Sequence, residues 1–124
     1  MSGRVVHFEV PFDDGDRARG FYKEIFGWQL QEMPEMKYTM VTSGPSGDSG
    51  PTEAGFINGG MFERTEALRG PMLTIDVDDL DAALKTVESL GGKQVGEKLP
   101  VGDMGFAAYF EDPEGNILGL WQSA

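Results

Sequence analysis

Two stretches of the chain alternate apolar and polar residues with a period of two. The first covers 5–12, with Val6, Phe8, Val10 and Phe12 on one face and Val5, His7 and Glu9 on the other. The second covers 72–77, with Leu73, Ile75 and Val77 on the apolar face and Met72, Thr74 and Asp76 opposite. Strict alternation predicts a half-buried β-strand in each place.

A helical pattern follows each of these strands. Apolar residues recur at helical spacing as Ala18, Phe21, Tyr22 and Ile25 in the first copy, and as Leu80, Ala83, Leu84, Val87 and Leu90 in the second. Both stripes are predicted to face the core, and glycines (Gly27, then Gly91 and Gly92) end the helices. Each helix starts in a carboxylate cluster, Asp13, Asp14 and Asp16 or Asp78, Asp79 and Asp81. We interpret these acids as helix caps rather than as a metal or catalytic site.

The chain contains an internal repeat. Segment 12–18 is echoed by segment 77–83, at an offset of 65 residues. Further short strands are predicted at 28–32, 38–42 and 55–62, and again at 93–99, 106–111 and 116–122. This predicts an α+β fold of two βαβββ modules in one domain spanning 1–124. Module one covers about 3–62, a connection covers 63–70, and module two covers about 71–123.

Two connecting segments have distinct signatures. Residues 43–53 are rich in Gly, Pro and Ser without apolar periodicity, which predicts a mobile surface loop, with a lid as the alternative. Asp112-Pro113-Glu114-Gly115-Asn116 combines a φ-restricting proline, a permissive glycine and a side chain able to bond the backbone ahead of it. That combination predicts a tight hairpin between two strands.

Composition narrows the partners and the compartment. The formal charge of −11 over 124 residues leaves no basic stripe, so neither nucleic acid nor an anionic membrane is expected to bind. With no cysteine, disulfides and thiolate metal sites are excluded, and no signal peptide or membrane span is evident, so a cytoplasmic location is predicted. A small-molecule ligand fits this composition best.

Together these features resemble the vicinal oxygen chelate superfamily of glyoxalases, bleomycin-resistance proteins and extradiol dioxygenases. The resemblance rests on the Val6-His7-Phe8 strand, the Phe21-Tyr22 pair leading to Phe26-Gly27-Trp28, and the Asp112–Asn116 hairpin. It covers essentially the whole chain. It implies sheets curled around a central cleft that binds small organic molecules, often in a homodimer, and we expect a homodimer here.

In metal-using members, the resemblance further implies, a divalent ion is held by the first and last strands of each module. His7 matches one such position, but the repeat places Met72 at the second, and a thioether is a poor ligand for a hard ion. Gly119 falls where metal-binding relatives usually have Glu, and the remaining position falls near Asn58, within a residue or two. We therefore predict that the site holds no metal and that the protein needs no cofactor.

Several residues are candidates for the cleft. Alternation predicts a lining of His7, Glu9, Phe56, Asn58, Met72, Thr74 and Trp121, with the alternative that these residues belong to the core or to a dimer interface. His7 is the sole histidine, and with Glu9 it would form the acid/base pair of any catalysis. Tyr109 would add a hydroxyl if it faces the same way.

Three function classes follow from this pattern. A metal-independent protein that binds a small, largely hydrophobic molecule is favoured, because Met72 and Gly119, which cannot hold a hard divalent ion, stand where metal-using members have metal ligands. The alternatives are an enzyme, either a divalent-metal-dependent lyase, epimerase or dioxygenase of the glyoxalase type or a metal-free one using His7 and Glu9, and an interaction module without a cavity. Metal analysis distinguishes the first two classes.

Overall fold

A computed structural model describes residues 3–124. Its elements run in the order β1 (Val5–Phe12), α1 (Gly15–Phe26), β2 (Gln29–Met33), a 3₁₀ turn (Pro34–Met36), β3 (Tyr38–Thr42), β4 (Ser46–Gly47), β5 (Gly50–Pro51), β6 (Asn58–Glu63), β7 (Met72–Asp76), α2 (Leu80–Ser89), β8 (Lys93–Val101), β9 (Gly105–Glu111) and β10 (Ile117–Ser123). No helix among the described residues is long and apolar enough to cross a membrane.

The chain divides into two units that repeat one topology. The first unit is His7–Pro71, and the second is Met72–Ala124 together with the described residues up to Val6. Arg4 belongs to the second unit because its carbonyl accepts the Asp76 N–H at 2.9 Å. The first strand of the repeat is therefore divided between the units.

The first unit has a sheet in the order β2-β3-β6-β1. β1 and β6 run parallel, with Glu9 opposite Gly60, and the other pairs are antiparallel, with Tyr38 opposite Phe62. Helix α1 covers one face, where Arg19 donates to the Thr39 hydroxyl at 3.2 Å. Side chains alternate across a strand, so Tyr38 lies on the opposite face, which it shares with Glu9.

The second unit has the equivalent sheet, in the order β8-β9-β10-β7. β7 and β10 run parallel, with Thr74 opposite Gly119, and β10 pairs antiparallel with β9. One face packs against α2 in a cluster made of Leu80, Leu84, Ala108 and Leu120, with Ile75, Val77, Ala83, Phe106 and Phe110 around it. This cluster is the hydrophobic core of the second unit.

The predicted turns and caps are confirmed. Asp14 accepts the Arg17 N–H at 3.1 Å and Asp79 accepts the Ala82 N–H at 3.0 Å, so the N-caps are themselves 65 residues apart. Gly27 ends α1 with a left-handed φ of 71°. The β9–β10 hairpin closes as predicted, with the Asp112 carboxylate accepting two backbone N–H groups ahead of it, each at 2.9 Å.

The prediction that both helices present a buried apolar stripe is wrong for α1. Phe21 is 58% exposed and Ile25 is 56% exposed, and no residue of α1 is buried. The position that Leu84 fills in the core of the second unit is held in the first by Arg19, 65 residues earlier. α1 therefore lacks a counterpart of the buried Leu84, while Phe21 and Ile25 are exposed just as their repeat counterparts Thr86 and Leu90 are.

Segment 43–53, predicted as a mobile surface loop, lies largely at the surface and contains the short β4–β5 hairpin. Two other predictions are corrected. β6 begins at Asn58, so Phe56, expected on that strand, precedes it. Leu73 and Leu90, predicted to be core residues, are 48% and 73% exposed.

β8 is the edge strand of the second unit's sheet. Its pairing with β9 breaks register between Val95 and Leu99, and Gly96 there has a left-handed φ of 74°. Within the break, Lys98 Nζ lies 4.8 Å from the centre of the Phe106 ring and 3.2 Å from the Asp81 carboxylate. The strand therefore has a bulge with a lysine anchored beside it.

Candidate functional site

His7 and Glu9 are joined through a residue that the sequence analysis did not single out. The Tyr38 hydroxyl lies 2.7 Å from Glu9 Oε2 and 2.8 Å from His7 Nε2. All three side chains lie on the face of the first unit's sheet opposite α1. We name this group, His7, Tyr38 and Glu9, the relay.

The relay exists because position 60 has no side chain. Gly60 is buried directly opposite Glu9, and a Cβ added there would overlap the hydroxyl and the ring of Tyr38. The Tyr38 ring stacks on Phe62 with centroids 6.5 Å apart and an interplanar angle of 14°. The phenol of one strand thus occupies the space that a side chain on the neighbouring strand would fill.

Burial favours the neutral form of His7 in the relay. Only 6% of Glu9 is exposed, and its carboxylate accepts the Tyr38 hydroxyl. Burial lowers the pKa of His7 below its ordinary value, and the Glu9 charge offsets part of that effect. His7 is therefore neutral near neutral pH, beside a carboxylate.

Asn58 and Phe56, two of the predicted cleft residues, contact the segment that carries the β4–β5 hairpin rather than the relay. The Asn58 amide accepts the Ser43 N–H at 2.9 Å and donates to the Ser46 hydroxyl at 2.9 Å. The Phe56 ring packs where a side chain on Gly44 would stand. Both residues hold the segment that follows β3, so the structure does not join their polar or aromatic groups to the relay.

The second unit groups its own candidates on the equivalent face of its sheet. Met72 and Thr74 are buried on β7, and a Cβ at Gly119 would lie 2.8 Å from the Thr74 hydroxyl oxygen. Tyr109 is directly opposite Gly119 in the β9–β10 pair and so shares this face. The Trp121 indole N–H donates to the Ser123 hydroxyl at 3.1 Å.

Comparison with known proteins identifies the family. Residues 4–44 match the family model for the bleomycin resistance protein-like N-terminal region. A glyoxylase-like domain-containing protein of Didymella fabae is 32% identical over 97% of this chain and 94% of its own length. A probable lactoylglutathione lyase of Vibrio parahaemolyticus is 30% identical over 98% of this chain and 92% of its own. The chain belongs to the vicinal oxygen chelate superfamily.

Solved structures confirm the fold of this superfamily. Methylmalonyl-CoA epimerase, solved with methylmalonyl-CoA and NH4+, superposes with a TM-score of 0.66 at 17% identity, covering 100% of this chain and 96% of that one. The epimerase of Mycobacterium tuberculosis gives a TM-score of 0.62 at 21% identity, over 98% and 88% of the two chains. The α+β class and the fold predicted from the sequence are therefore confirmed.

The metal positions of the superfamily do not fit a divalent ion here. The strand register makes Gly60, not Asn58, the repeat counterpart of Gly119, since each lies opposite the same position of the first strand. Gly60 and Gly119, the two positions where the last strands would supply a metal ligand, thus lack a donor atom. Tyr38 lies where a side chain on Gly60 would stand, and Thr74 lies beside the place of a side chain on Gly119. Within residues 3–124, no three His, Asp or Glu side chains group as metal ligands. One imidazole and one buried thioether do not make a typical site.

Tyr38 is the site residue that the sequence analysis missed. One signal pointed towards it: two adjacent glycines inside a predicted strand, Gly59 and Gly60, indicate a close approach by neighbouring groups. The structure shows that Tyr38 is the group that approaches Gly60, while Phe8 approaches Gly59.

Proposed function

We propose that this protein binds a small, largely hydrophobic organic molecule at the relay, without a metal ion or other cofactor. The face that carries the relay combines three polar side chains with the Phe62 ring and with Met40, which is partly exposed. A mostly apolar surface with a few fixed polar groups is the usual composition of a small-molecule site.

The occupied space above Gly60 is the observation that supports a metal-free site most directly. A carboxylate at position 60 would be needed to complete an ion site beside His7, and the Tyr38 phenol stands in its place. Moreover, the hydroxyl already engages His7 Nε2 and a Glu9 oxygen. An ion at this position would have to displace those hydrogen bonds.

The second candidate is a divalent-metal-dependent lyase, epimerase or dioxygenase of the glyoxalase type. His7 favours it, since an imidazole stands on the first strand where the superfamily resemblance implies a ligand. The names of relatives, lactoylglutathione lyase among them, point the same way. In a metal-free enzyme, His7 and Glu9 would be the acid/base pair.

Elemental analysis of purified, undialysed protein tests the first candidate against the second. We expect no stoichiometric divalent ion, and no rise in melting temperature when Mg²⁺, Mn²⁺, Ni²⁺ or Zn²⁺ is titrated, because only a ligand that binds the folded state raises it. A near-stoichiometric ion with a clear rise, lost in His7→Ala, would establish the metal-dependent candidate instead.

Binding is tested by a thermal-shift screen of small aromatic molecules. We expect active compounds to raise the melting temperature of the wild-type protein and to lose most of that effect in Glu9→Gln, which disturbs the relay. Glu24→Gln on the exposed part of α1 is the matched control and should respond like wild type. Equal shifts in all three proteins would place binding elsewhere.

We also propose a cytoplasmic homodimer that binds neither nucleic acid nor membranes. The formal charge of −11 supports the absence of polyanionic partners.

A further inference from the structure

The hydrogen bonds of the relay have a definite direction. Tyr38 has one hydroxyl hydrogen, and it is donated to Glu9 Oε2 at 2.7 Å, because an ionised carboxylate can only accept. The Tyr38 oxygen must then accept from His7 Nε2, which lies 2.8 Å away. Nε2 therefore carries a hydrogen.

The other ring nitrogen follows from the charge of the imidazole. At a pH well above the ordinary histidine pKa of about 6.5, the ring is neutral and holds a single hydrogen, which is the one on Nε2. Nδ1 is then a bare acceptor. Among the described residues Nδ1 has no hydrogen-bond partner, and no buried side-chain polar atom is unsatisfied, so Nδ1 is open to solvent.

We propose that Tyr38 is a positioning residue that fixes His7 in the Nε2–H form, so that Nδ1 accepts a hydrogen bond from a neutral hydroxyl of the ligand. The nearby Glu9 carboxylate repels carboxylates and phosphates, and among the donors that it does not repel we take neutral phenols and alcohols as the ligand class. The ligand class rests on the proposed function, whereas the form of the ring does not.

The form of the ring can be measured without any ligand. His7 is the only histidine, so a long-range proton–nitrogen correlation spectrum of isotope-labelled protein reports on this ring alone. At a pH where the ring is neutral, we expect a protonated Nε2 and a bare Nδ1 in the wild-type protein. Tyr38→Phe removes the acceptor and should give a mixture of the two neutral forms.

Tyr22→Phe is the matched control for Tyr38→Phe. It removes a phenol hydroxyl from the aromatic cluster between α1 and Trp28, away from the relay, and should leave the His7 spectrum unchanged. An Nδ1–H ring in the wild-type protein, or an unchanged spectrum in Tyr38→Phe, would overturn the positioning role of Tyr38.

A second variant tests the direction of the relay even if Tyr38→Phe fails to fold. Glu9→Leu removes the carboxylate that accepts the Tyr38 hydroxyl, so this hydroxyl can donate to His7 Nε2 instead. We expect the ring hydrogen to move towards Nδ1 in this variant. An unchanged Nε2–H ring would mean that the Tyr38–Glu9 bond does not set the form of His7.

The ligand class is tested with phenol and its methyl ether, anisole, which has the same ring without a donor. We expect phenol to move the Nδ1 resonance towards the protonated value and anisole to leave it unmoved. Equal responses, or no response to phenol, would overturn the ligand class. Failure of every aromatic molecule to shift the melting temperature would count against the proposed function, yet the ligand-free spectra would still decide the role of Tyr38.

Discussion

Gly60 has no side chain, and this absence determines the geometry of the candidate site. Because the residue has no Cβ, the Tyr38 phenol reaches across β6 to lie between His7 and Glu9. A donor side chain at position 60 and the relay exclude each other, since both need the same volume. On the metal-free proposal, the absence of a side chain at position 60 is the feature that distinguishes this site from a metal-binding one.

Gly60→Ala is therefore expected to destabilise the protein by about 1–3 kcal/mol, as overpacking of a filled space does. Gly20→Ala is the matched control, because nothing lies within 4 Å of a Cβ added there on the exposed side of α1. That change should stabilise the helix by up to about 1 kcal/mol. Urea unfolding of both variants makes the comparison, and a harmless Gly60→Ala would contradict the packing of Tyr38.

Asp112 shows how a single exposed carboxylate can order a turn. Its side chain accepts the backbone N–H groups of Glu114 and Asn116, and the Asn116 amide donates to its other oxygen. These bonds, those from Asn116 first, lower the pKa of Asp112 below its ordinary value. The charged form is thus the one that the folded hairpin favours.

The pH dependence of this effect has a definite sign. A carboxyl whose pKa is lower when folded stabilises the protein above its unfolded pKa of about 4, and the stabilisation disappears as the pH falls through the folded value. We expect Asp112→Ala to lower the free energy of unfolding at pH 7. We expect the difference in this free energy between the variant and the wild type to become smaller at acidic pH. Asp103→Ala, in the exposed β8–β9 turn, is the matched control for loss of a surface carboxylate.

The two helices use one capping device at equivalent places in the repeat. Asp14 and Asp79 each accept the N–H three residues ahead, whereas Asp78, the immediate neighbour of Asp79, has no such bond in the described chain. A cap satisfies a backbone donor that the helix itself cannot pair.

Asp79→Ala should therefore cost about 1 kcal/mol of unfolding free energy, the usual value for a lost N-cap. Asp78→Ala removes the same charge from the adjacent position and should cost much less. Thermal or urea unfolding gives both values. Equal losses would show that helix-dipole charge, rather than the cap bond, is what stabilises α2.

Elements that depend on local sequence were predictable, and contacts between distant segments were not. The caps, the Asp112 hairpin and the bounds of β3 follow from residues within a few positions of each other. The lack of a buried residue in α1 could not be predicted, because its apolar stripe is as regular as that of α2, and only the contact of Arg19 with Thr39 shows what takes the place of Leu84. Tyr38 was missed because its role depends on the register of β3, β6 and β1, which alternation alone does not fix.

For the whole molecule, the homodimer remains a prediction, and α1 is the surface where we expect the second copy. Phe21, Ile25 and Phe26 are exposed together on this helix. Each copy carries a formal charge of −11, so attraction between copies would have to come from apolar contact.

Sedimentation analysis tests this surface. We expect the wild-type protein to be a dimer and the double variant Phe21→Ser with Ile25→Ser to be a monomer of similar melting temperature, since neither residue contributes to a core. Leu90→Ser, which changes an exposed leucine at the end of α2, should remain a dimer. A dimeric double variant, or a monomeric wild-type protein, would contradict the prediction.

The bulge in β8 has a consequence for the behaviour of the protein at high concentration. An exposed edge strand offers unpaired backbone groups to other chains and so invites aggregation. Here the register break at Val95–Leu99, the charge of Lys98 and the missing N–H of Pro100 all lie along that edge. A strand of another chain would find no continuous set of backbone partners along β8, so we expect this edge to resist edge-to-edge polymerisation without being covered by another element.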